Sequence, residues 1–341
     1  MTLTDGKIRV AIYGCGSFAN RVHIPNLLKL KNVEIVAICD INPQSLKLTA
    51  EAFNISKTYQ DGHQMLDSEE IDVLYSIVPA YVRTDVEATA AAKGIHIFSE
   101  KPQAITMPVA NKIDDAIRKA GVISTVGFRE RYRPIFQEAR KFLADKEIVH
   151  VRFQRIGGLP GPIPKERQDS WWAQMDKSGG PALDWGVHAT DYTRFMTNLN
   201  IVRAQAFYCH RPSYHVPLSC SFNYCFSNGA TMTMTFVSAS PVGLHGEPWF
   251  TIFYEGGCLA IHRYECIEVN GETIYRSEEF DPWFKQDRVF IEAVCTGNTS
   301  ALMNDYRDGL FSLAPVLAAW ESSRRNGECI DVQEFMKYKV G

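Results

Sequence analysis

The sequence predicts two domains of different class, an α/β domain followed by an α+β domain. Three observations carry this. Apolar runs of strand length alternate with helical patterns from Lys7 to about Ala144. Beyond that point the alternation stops, and long segments of alternating apolar and polar residues follow one another. The length of 341 residues corresponds to about two domains at ~150 residues each. The expected organisation is a doubly wound parallel sheet over residues 1–145 and a largely antiparallel, open-faced sheet with helices over residues 146–341. The last helices are expected to be able to pack back on the first domain.

The first domain declares its ligand. KIRVAIYG, Lys7 to Gly14, is an apolar strand ending in glycine. Gly14-Cys15-Gly16-Ser17-Phe18-Ala19 follows, and a helical pattern runs on to about Leu30. Strand, G-x-G-x-x-A and helix in this order form the context in which the glycine motif means dinucleotide binding, and so a Rossmann domain. Gly14 makes the tight turn, Gly16 lets backbone approach a pyrophosphate, and Ala19 permits close helix–strand packing. The helix N-terminus offers N–H groups to the phosphates. The second strand, VEIVAICD, ends at Asp40, at the usual spacing of about 20 residues, where a carboxylate meets the adenosine ribose hydroxyls. A helix is expected at Pro43–Phe53, with strands near Asp72–Ile77, Ile95–Phe98 and Val122–Val126. Helices near Thr84–Lys93 and Met107–Lys119 lie between them. Ligands of such sheets sit at the carboxyl ends of the strands. Two sequences stand there: Val78-Pro79-Ala80, and Glu100-Lys101-Pro102 after the strand ending at Phe98. The candidate cofactor residues are therefore Gly14, Gly16, Ser17, Phe18, Ala19 and Asp40, joined by Pro79, Glu100 and Lys101.

Composition narrows the function. Hydrophobic residues make up 45% of the chain, enough for ordinary cores. A formal net charge of −3 leaves no electrostatic footprint for nucleic acid, and Arg129, Arg131 and Arg133 are too few to make one. Nine dispersed cysteines without a C-x-x-C pair read as reduced thiols of a cytoplasmic protein. The N-terminus enters a strand without room for a signal peptide, and no apolar run approaches the ~20 residues that span a bilayer.

In the second domain, EIVHVRFQRI reads as a strand, followed by a Gly- and Pro-rich loop. Within that loop Trp171 and Trp172 suit either packing or a sugar-stacking surface, with Trp172 the candidate substrate contact. A helix is expected from Pro181 to about Met196. Strands follow at Ile201–His210, Ser219–Phe226, Ala230–Val237, Trp249–Tyr254 and Cys258–His262, and helices near Asp287–Thr296 and Tyr306–Arg324 close the chain. The Pro181 helix lies in GGPALDWGVHATD, Gly179 to Asp191. Asp184 and His188 are spaced i, i+4 and share one face, with Asp191 close to it. A carboxylate one turn from an imidazole orients the ring and favours its cation, as a general acid/base near neutral pH requires. Taken alone, the spacing favours a satisfied core histidine with a surface aspartate.

These motifs together resemble the Gfo/Idh/MocA oxidoreductase family, which includes glucose–fructose oxidoreductase and inositol dehydrogenase. The resemblance spans nearly the whole chain and rests on the glycine motif, Glu100-Lys101-Pro102, GFRERYRP from Gly127 to Pro134, and GGPALDWGVHATD. It implies that Lys101, Asp184 and His188 line one active site, and that Arg131 occupies a position able to touch substrate. It implies a sugar, cyclitol or glycoside as substrate and a homodimer or homotetramer paired through the second-domain sheet. One departure concerns Val78 to Arg83, where Arg83 stands in place of a histidine that the family often carries. The expected chemistry is oxidation of a secondary alcohol with NAD, favoured over NADP. The nicotinamide takes the hydride, His188 takes the proton, Asp184 holds its ring, and Lys101 donates to the substrate oxygen. Three other readings stay open: an NAD-dependent glycoside hydrolase using transient oxidation, a non-catalytic dinucleotide sensor, and a metal site at Asp184, His188 and Asp191.

Overall fold

The computed structural model describes residues 6–161, 171, 174–239 and 247–337. The chain divides into two compact units. One comprises Met1–Ala104, Pro108–Arg129 and Asp281–Gly309; the other comprises Ile105–Met107, Glu130–Phe280 and Leu310–Gly341.

The first unit is built on six parallel strands: β1 (Ile8–Tyr13), β2 (Val33–Cys39), β3 (Thr58–Tyr59), β4 (Val73–Ser76), β5 (His96–Ser99) and β6 (Ser124–Val126). Their order is β3-β2-β1-β4-β5-β6, so the direction of winding reverses between β1 and β4, where doubly wound sheets bind ligands. Ile8, Val10, Ala11 and Ile12 are all at most 1% exposed. β1 lies between β2 and β4 and is buried on both faces, so apart from Arg9 its residues are apolar rather than alternating. The helix after β2 shows how local chemistry sets the ends. Asn42 accepts hydrogen bonds from the Gln44 and Ser45 amides, Pro43 occupies the first turn, and Asn54 ends the helix in the left-handed conformation. The helix Pro282–Thr296 also belongs to this unit. Its Phe290, Ile291 and Val294 pack in one core with β1, Tyr75 and Phe98. A short helix at Gly62–Ser68 falls outside the sequence-based elements, because seven residues are too few for a period to show; the Asp61 cap on Gln64 N is its local signal.

The second unit holds nine strands: β7 (Ile148–Gly157), β8 (Ile201–Cys209), β9 (Ser219–Phe226), β10 (Thr231–Ser238), β11 (Phe250–Tyr254), β12 (Gly257–His262), β13 (Cys266–Val269), β14 (Glu272–Arg276) and β15 (Ile330–Asp331). The order is β14-β13-β12-β11-β7-β10-β9-β8-β15. Among the described residues of this sheet only β7 and β10 pair in parallel; the other neighbours run antiparallel. One face is apolar and closed. Along it Val151 aligns with Met232 and Ile252, and Phe153 with Met234 and Phe250, all at most 3% exposed. The other face carries Arg152, Thr233, Asn223 and Gln205 in register, a polar row. The helix Gly180–Thr197 lies against β7 and β10 on the closed face. Gly186 makes this seating close: a Cβ there would stand 3.1 Å from Val316 Cγ1 of the helix Tyr306–Arg324 and 3.5 Å from Met234 Cε of β10.

Candidate active site

The glycine turn is fixed from within its own unit. Gly14 has φ +103, and an added Cβ would stand 2.6 Å from the Ile77 carbonyl oxygen. Gly14 N donates to Cys39 O (2.8 Å), and Asn20 Nδ2 donates to the carbonyls of Cys15 (2.8 Å) and Gly16 (3.0 Å). Gly16 differs. A Cβ on it would meet nothing within 4 Å, so packing does not demand glycine there. Gly16 and Ser17 are exposed, Phe18 is half-buried, and Ala19 is fully buried against the sheet. The chain is helical from residue 17 to 28 with a π-helical stretch at Ala19–His23, a feature concentrated at functional sites.

Asp40 directly follows β2. Its Oδ2 accepts from Cys15 N at 2.7 Å and its Oδ1 from Asn42 N at 2.8 Å, so two amides set the orientation of the carboxylate. The nearby thiols of Cys15 and Cys39 are pushed up to about 12, by burial first and then by the Asp40 charge, which keeps them protonated and inert. Open space over Gly16, backbone donors at a helix start and an oriented carboxylate after β2 fit the pyrophosphate and ribose of NAD.

The ends of β4 and β5 are braced from the inside by Arg83. Its side chain is 0% exposed and pairs with Glu87 at 2.9 Å. The guanidinium also donates to Ser99 Oγ (2.8 Å), Ser76 Oγ (3.1 Å), Val78 O (3.3 Å) and Glu100 O (2.6 Å). Arg83 therefore cannot take the ligand contact of the histidine it replaces; it holds the backbone on which Pro79 and Lys101 are mounted. Pro79 and Lys101 are half-buried.

Glu100, expected among the cofactor contacts, is only 7% exposed. Its Oε2 accepts from Lys101 N (3.0 Å) and its Oε1 from His23 Nε2 (3.2 Å). His23 Nδ1 faces Asp287 Oδ1 at 2.9 Å, and Asn26 Nδ2 donates to Asp287 Oδ2 at 2.9 Å. Burial alone lowers the basicity of His23, but Asp287 and Glu100 outweigh it, and the imidazole is pushed up to about 10. It is thus an imidazolium donating to two carboxylates. Sequence reading missed this cluster, because His23 and Asp287 lie 264 positions apart. The Glu100 carboxylate beside Lys101 thus holds the lysine's backbone.

In the second unit the helix Gly180–Thr197 carries polar groups that the core satisfies. Thr190 Oγ1 donates to Ser312 O (2.7 Å). Ser312 Oγ donates to Asp191 Oδ1 (2.8 Å) and accepts from Arg194 (2.8 Å). Arg131 Nη2 donates to Asp191 Oδ1 (2.6 Å) and its Nε to Oδ2 (3.0 Å). Asp191 is 0% and Arg131 5% exposed, so the pair is a buried anchor of this helix. The same bonds engage both oxygens of the Asp191 carboxylate. Among the described residues no group of three or more His, Cys, Asp or Glu side chains is placed to hold a metal ion. His188 is 3% exposed, with ring centroids of Trp185 at 5.9 Å and Tyr192 at 5.5 Å, and Asp184 is half-buried one turn earlier. Trp172 lies outside the described residues.

Residues 8–128 match the model of an oxidoreductase family with an NAD-binding Rossmann fold, and residues 136–260 match the GFO/IDH/MocA C-terminal domain. The chain belongs to the Gfo/Idh/MocA oxidoreductase family. It is 27% identical over 210 residues to D-glucoside 3-dehydrogenase of Escherichia coli, a match spanning 59% of this chain and 57% of that protein. It is 23% identical over 190 residues to myo-inositol 2-dehydrogenase of Thermotoga maritima, spanning 55% and 54%. The chain thus matches little more than half the length of these relatives. An oxidoreductase from Agrobacterium radiobacter, solved with NAD+, L-tartaric acid and magnesium, shares the family fold with TM-score 0.80 at 20% identity, covering 96% of this chain and 99% of that one. No helix among the described residues is long and apolar enough to cross a membrane.

Proposed function

We propose that this chain is an NAD-dependent dehydrogenase acting on a secondary alcohol of a sugar, cyclitol or glycoside. The observation that carries the reading is the pair Asp184 and His188, on successive turns of a helix that Arg131, Asp191 and Ser312 fix in place, in a chain whose other unit is an NAD-binding domain. The family resemblance assigns Lys101 to the same reaction. The names of the relatives, a glucoside dehydrogenase and an inositol dehydrogenase, support the substrate class.

The nicotinamide, when bound, accepts the hydride. The chain's own residues must hold the alcohol, remove its proton and steady the charge that develops on its oxygen. His188 takes the proton. Its ring is packed between Trp185 and Tyr192, which limits its rotation and excludes water from it. Asp184 favours the imidazolium that forms. Lys101, on a backbone held by Glu100 and Arg83, donates to the alcohol oxygen as negative charge grows. Asp40, oriented by the Cys15 and Asn42 amides, would hold the adenosine ribose hydroxyls and repel a 2′-phosphate, which favours NAD over NADP.

The test uses a substrate found by screening sugars, cyclitols and glycosides with NAD. His188→Ala should lower turnover about 10²- to 10⁴-fold and leave NAD affinity, read by fluorescence, within a few-fold. Turnover within a few-fold of wild type would remove the histidine from the chemistry. A joint fall of turnover and NAD affinity would make it structural. Binding of both cofactors to wild type and Asp40→Ala tests the preference; tighter NADP binding by the wild type would overturn it.

A further inference from the structure

The second unit contains a cavity of about 200 Å³ beside the start of the helix Gly180–Thr197. Arg155 and Gly157 at the end of β7, Trp185, Trp249 and Arg263 form its walls. Trp185 and Trp249 meet edge to face with ring centroids 6.2 Å apart, a rigid aromatic corner. The Arg155 guanidinium lies 4.1 Å from the centroid of Trp185, the residue after Asp184 and 5.9 Å from His188 between ring centroids. Within this unit the Trp185 ring therefore stands between the cavity and the proposed proton acceptor, in contact with both.

Its charge is the informative feature. Burial lowers the basicity of Arg155, with Asp184 raising it and Arg263 lowering it further. Two like-charged guanidiniums thus share one partly enclosed space. The acidic group on the rim, Glu247, is turned to other partners, accepting from Gln154 Nε2 at 3.2 Å and lying 3.8 Å from Arg152 Nη2. Arg263 adopts φ 52 in the turn between β12 and β13, a left-handed conformation that non-glycine residues rarely take. A guanidinium presents a fork of donors matched to two oxygens of one oxyanion. The volume takes several water-sized groups, and the tryptophan corner suits the apolar face of a sugar ring.

We infer that Arg155 and Arg263 bind an anionic group of the substrate, carboxylate or phosphoryl, so that sugar acids or sugar phosphates are taken in preference to the corresponding neutral sugars. This rests on the dehydrogenase reading above, and names the substrate class within it. A role confined to the ionisation of Asp184 would instead make Arg155 matter equally for charged and neutral substrates.

The experiment titrates tryptophan fluorescence of the NAD-loaded protein with D-glucose, D-glucuronate and D-glucose 6-phosphate, and follows NADH formation with each. Wild type should bind one or both anions at least about tenfold more tightly than glucose, and the pair of anions separates a carboxylate site from a phosphoryl site. Arg155→Gln and Arg263→Gln should each reduce that ratio severalfold; Arg263 is exposed, so its variant remains informative if the first is poorly folded. Equal binding of all three by wild type, or ratios untouched in Arg263→Gln and in folded Arg155→Gln, would overturn the inference. Turnover of glucose without preference for either anion would overturn it while leaving the dehydrogenase reading standing. Arginine-dependent anion binding, with no NAD-linked turnover across the wider screen, would support the site and sink the dehydrogenase reading.

Discussion

His23 shows how one buried side chain links distant parts of the sequence. It is 1% exposed and holds Asp287 and Glu100 together, and Glu100 in turn holds the Lys101 amide. Its value of about 10 in the folded chain lies above the ordinary 6.5. A raised value means that the folded state holds the proton more tightly than the unfolded one. The stabilisation is complete below about pH 6.5 and is lost as pH rises through about 10. His23→Gln should destabilise the protein by about 3 kcal/mol at neutral pH, because it strips a buried ion cluster of its cation. Between pH 6.5 and 10 the gap in urea midpoint between wild type and variant should narrow. A gap constant over that range would show that His23 does not titrate with folding. Arg83 follows the same logic. With Glu87 also at 0% exposure, its truncation leaves a buried carboxylate unpaired, so a smaller residue at this position costs stability before it costs chemistry.

The glycine turn and the helix it opens give a test at the level of the element. Gly14 and Gly16 belong to one motif, yet the structure separates their reasons. Gly14 needs glycine for the protein's own sake, with φ +103 and the Ile77 carbonyl where a Cβ would stand. Gly16 has neither a positive φ nor a neighbour within 4 Å of a Cβ. Gly14→Ala should therefore lower both thermal stability and NAD affinity. Gly16→Ala should keep the melting temperature of the unliganded protein within a few degrees and weaken NAD binding tenfold or more, since only a ligand would meet the new methyl group. Equal NAD affinity for Gly16→Ala and wild type would remove the pyrophosphate from this turn. In the second unit the helix Gly180–Thr197 reads in sequence as an ambiguous mixture of apolar and polar residues. Its Arg131–Asp191, Thr190–Ser312 and Arg194–Ser312 bonds explain the mixture: Thr190, Asp191 and Arg194 anchor the helix, which the spacing of Asp184, His188 and Asp191 could not reveal.

Across the whole molecule, the open face of the second sheet bears on assembly. The row Arg152, Thr233, Asn223 and Gln205 continues to Phe207 and Phe253, 54% and 38% exposed. Broad sheet faces of this kind meet solvent or a partner. A homodimer or homotetramer paired through this face should appear in light scattering as a multiple of 38.5 kDa at micromolar concentration. Phe207→Glu with Phe253→Glu should shift the mass to the monomer. A wild type that already scatters as a monomer would refute the pairing.

What the sequence determined by itself was whatever depends on neighbours along the chain. The strand–glycine–helix order, Asp40 after β2, the alternation of the second sheet and the i, i+4 placement of Asp184 and His188 all follow from local periodicity and spacing. The helix Pro282–Thr296 was legible as a helix, but its place in the core of the first unit was not. Tertiary structure alone decided the partners of buried charges: Arg83 with Glu87 and the strand ends, His23 with Asp287, Arg131 with Asp191. The reason is physical. A helix or strand is selected by the period of its own side chains, whereas a charge removed from water must be satisfied by whichever opposite group the fold brings within about 3 Å, however distant in sequence.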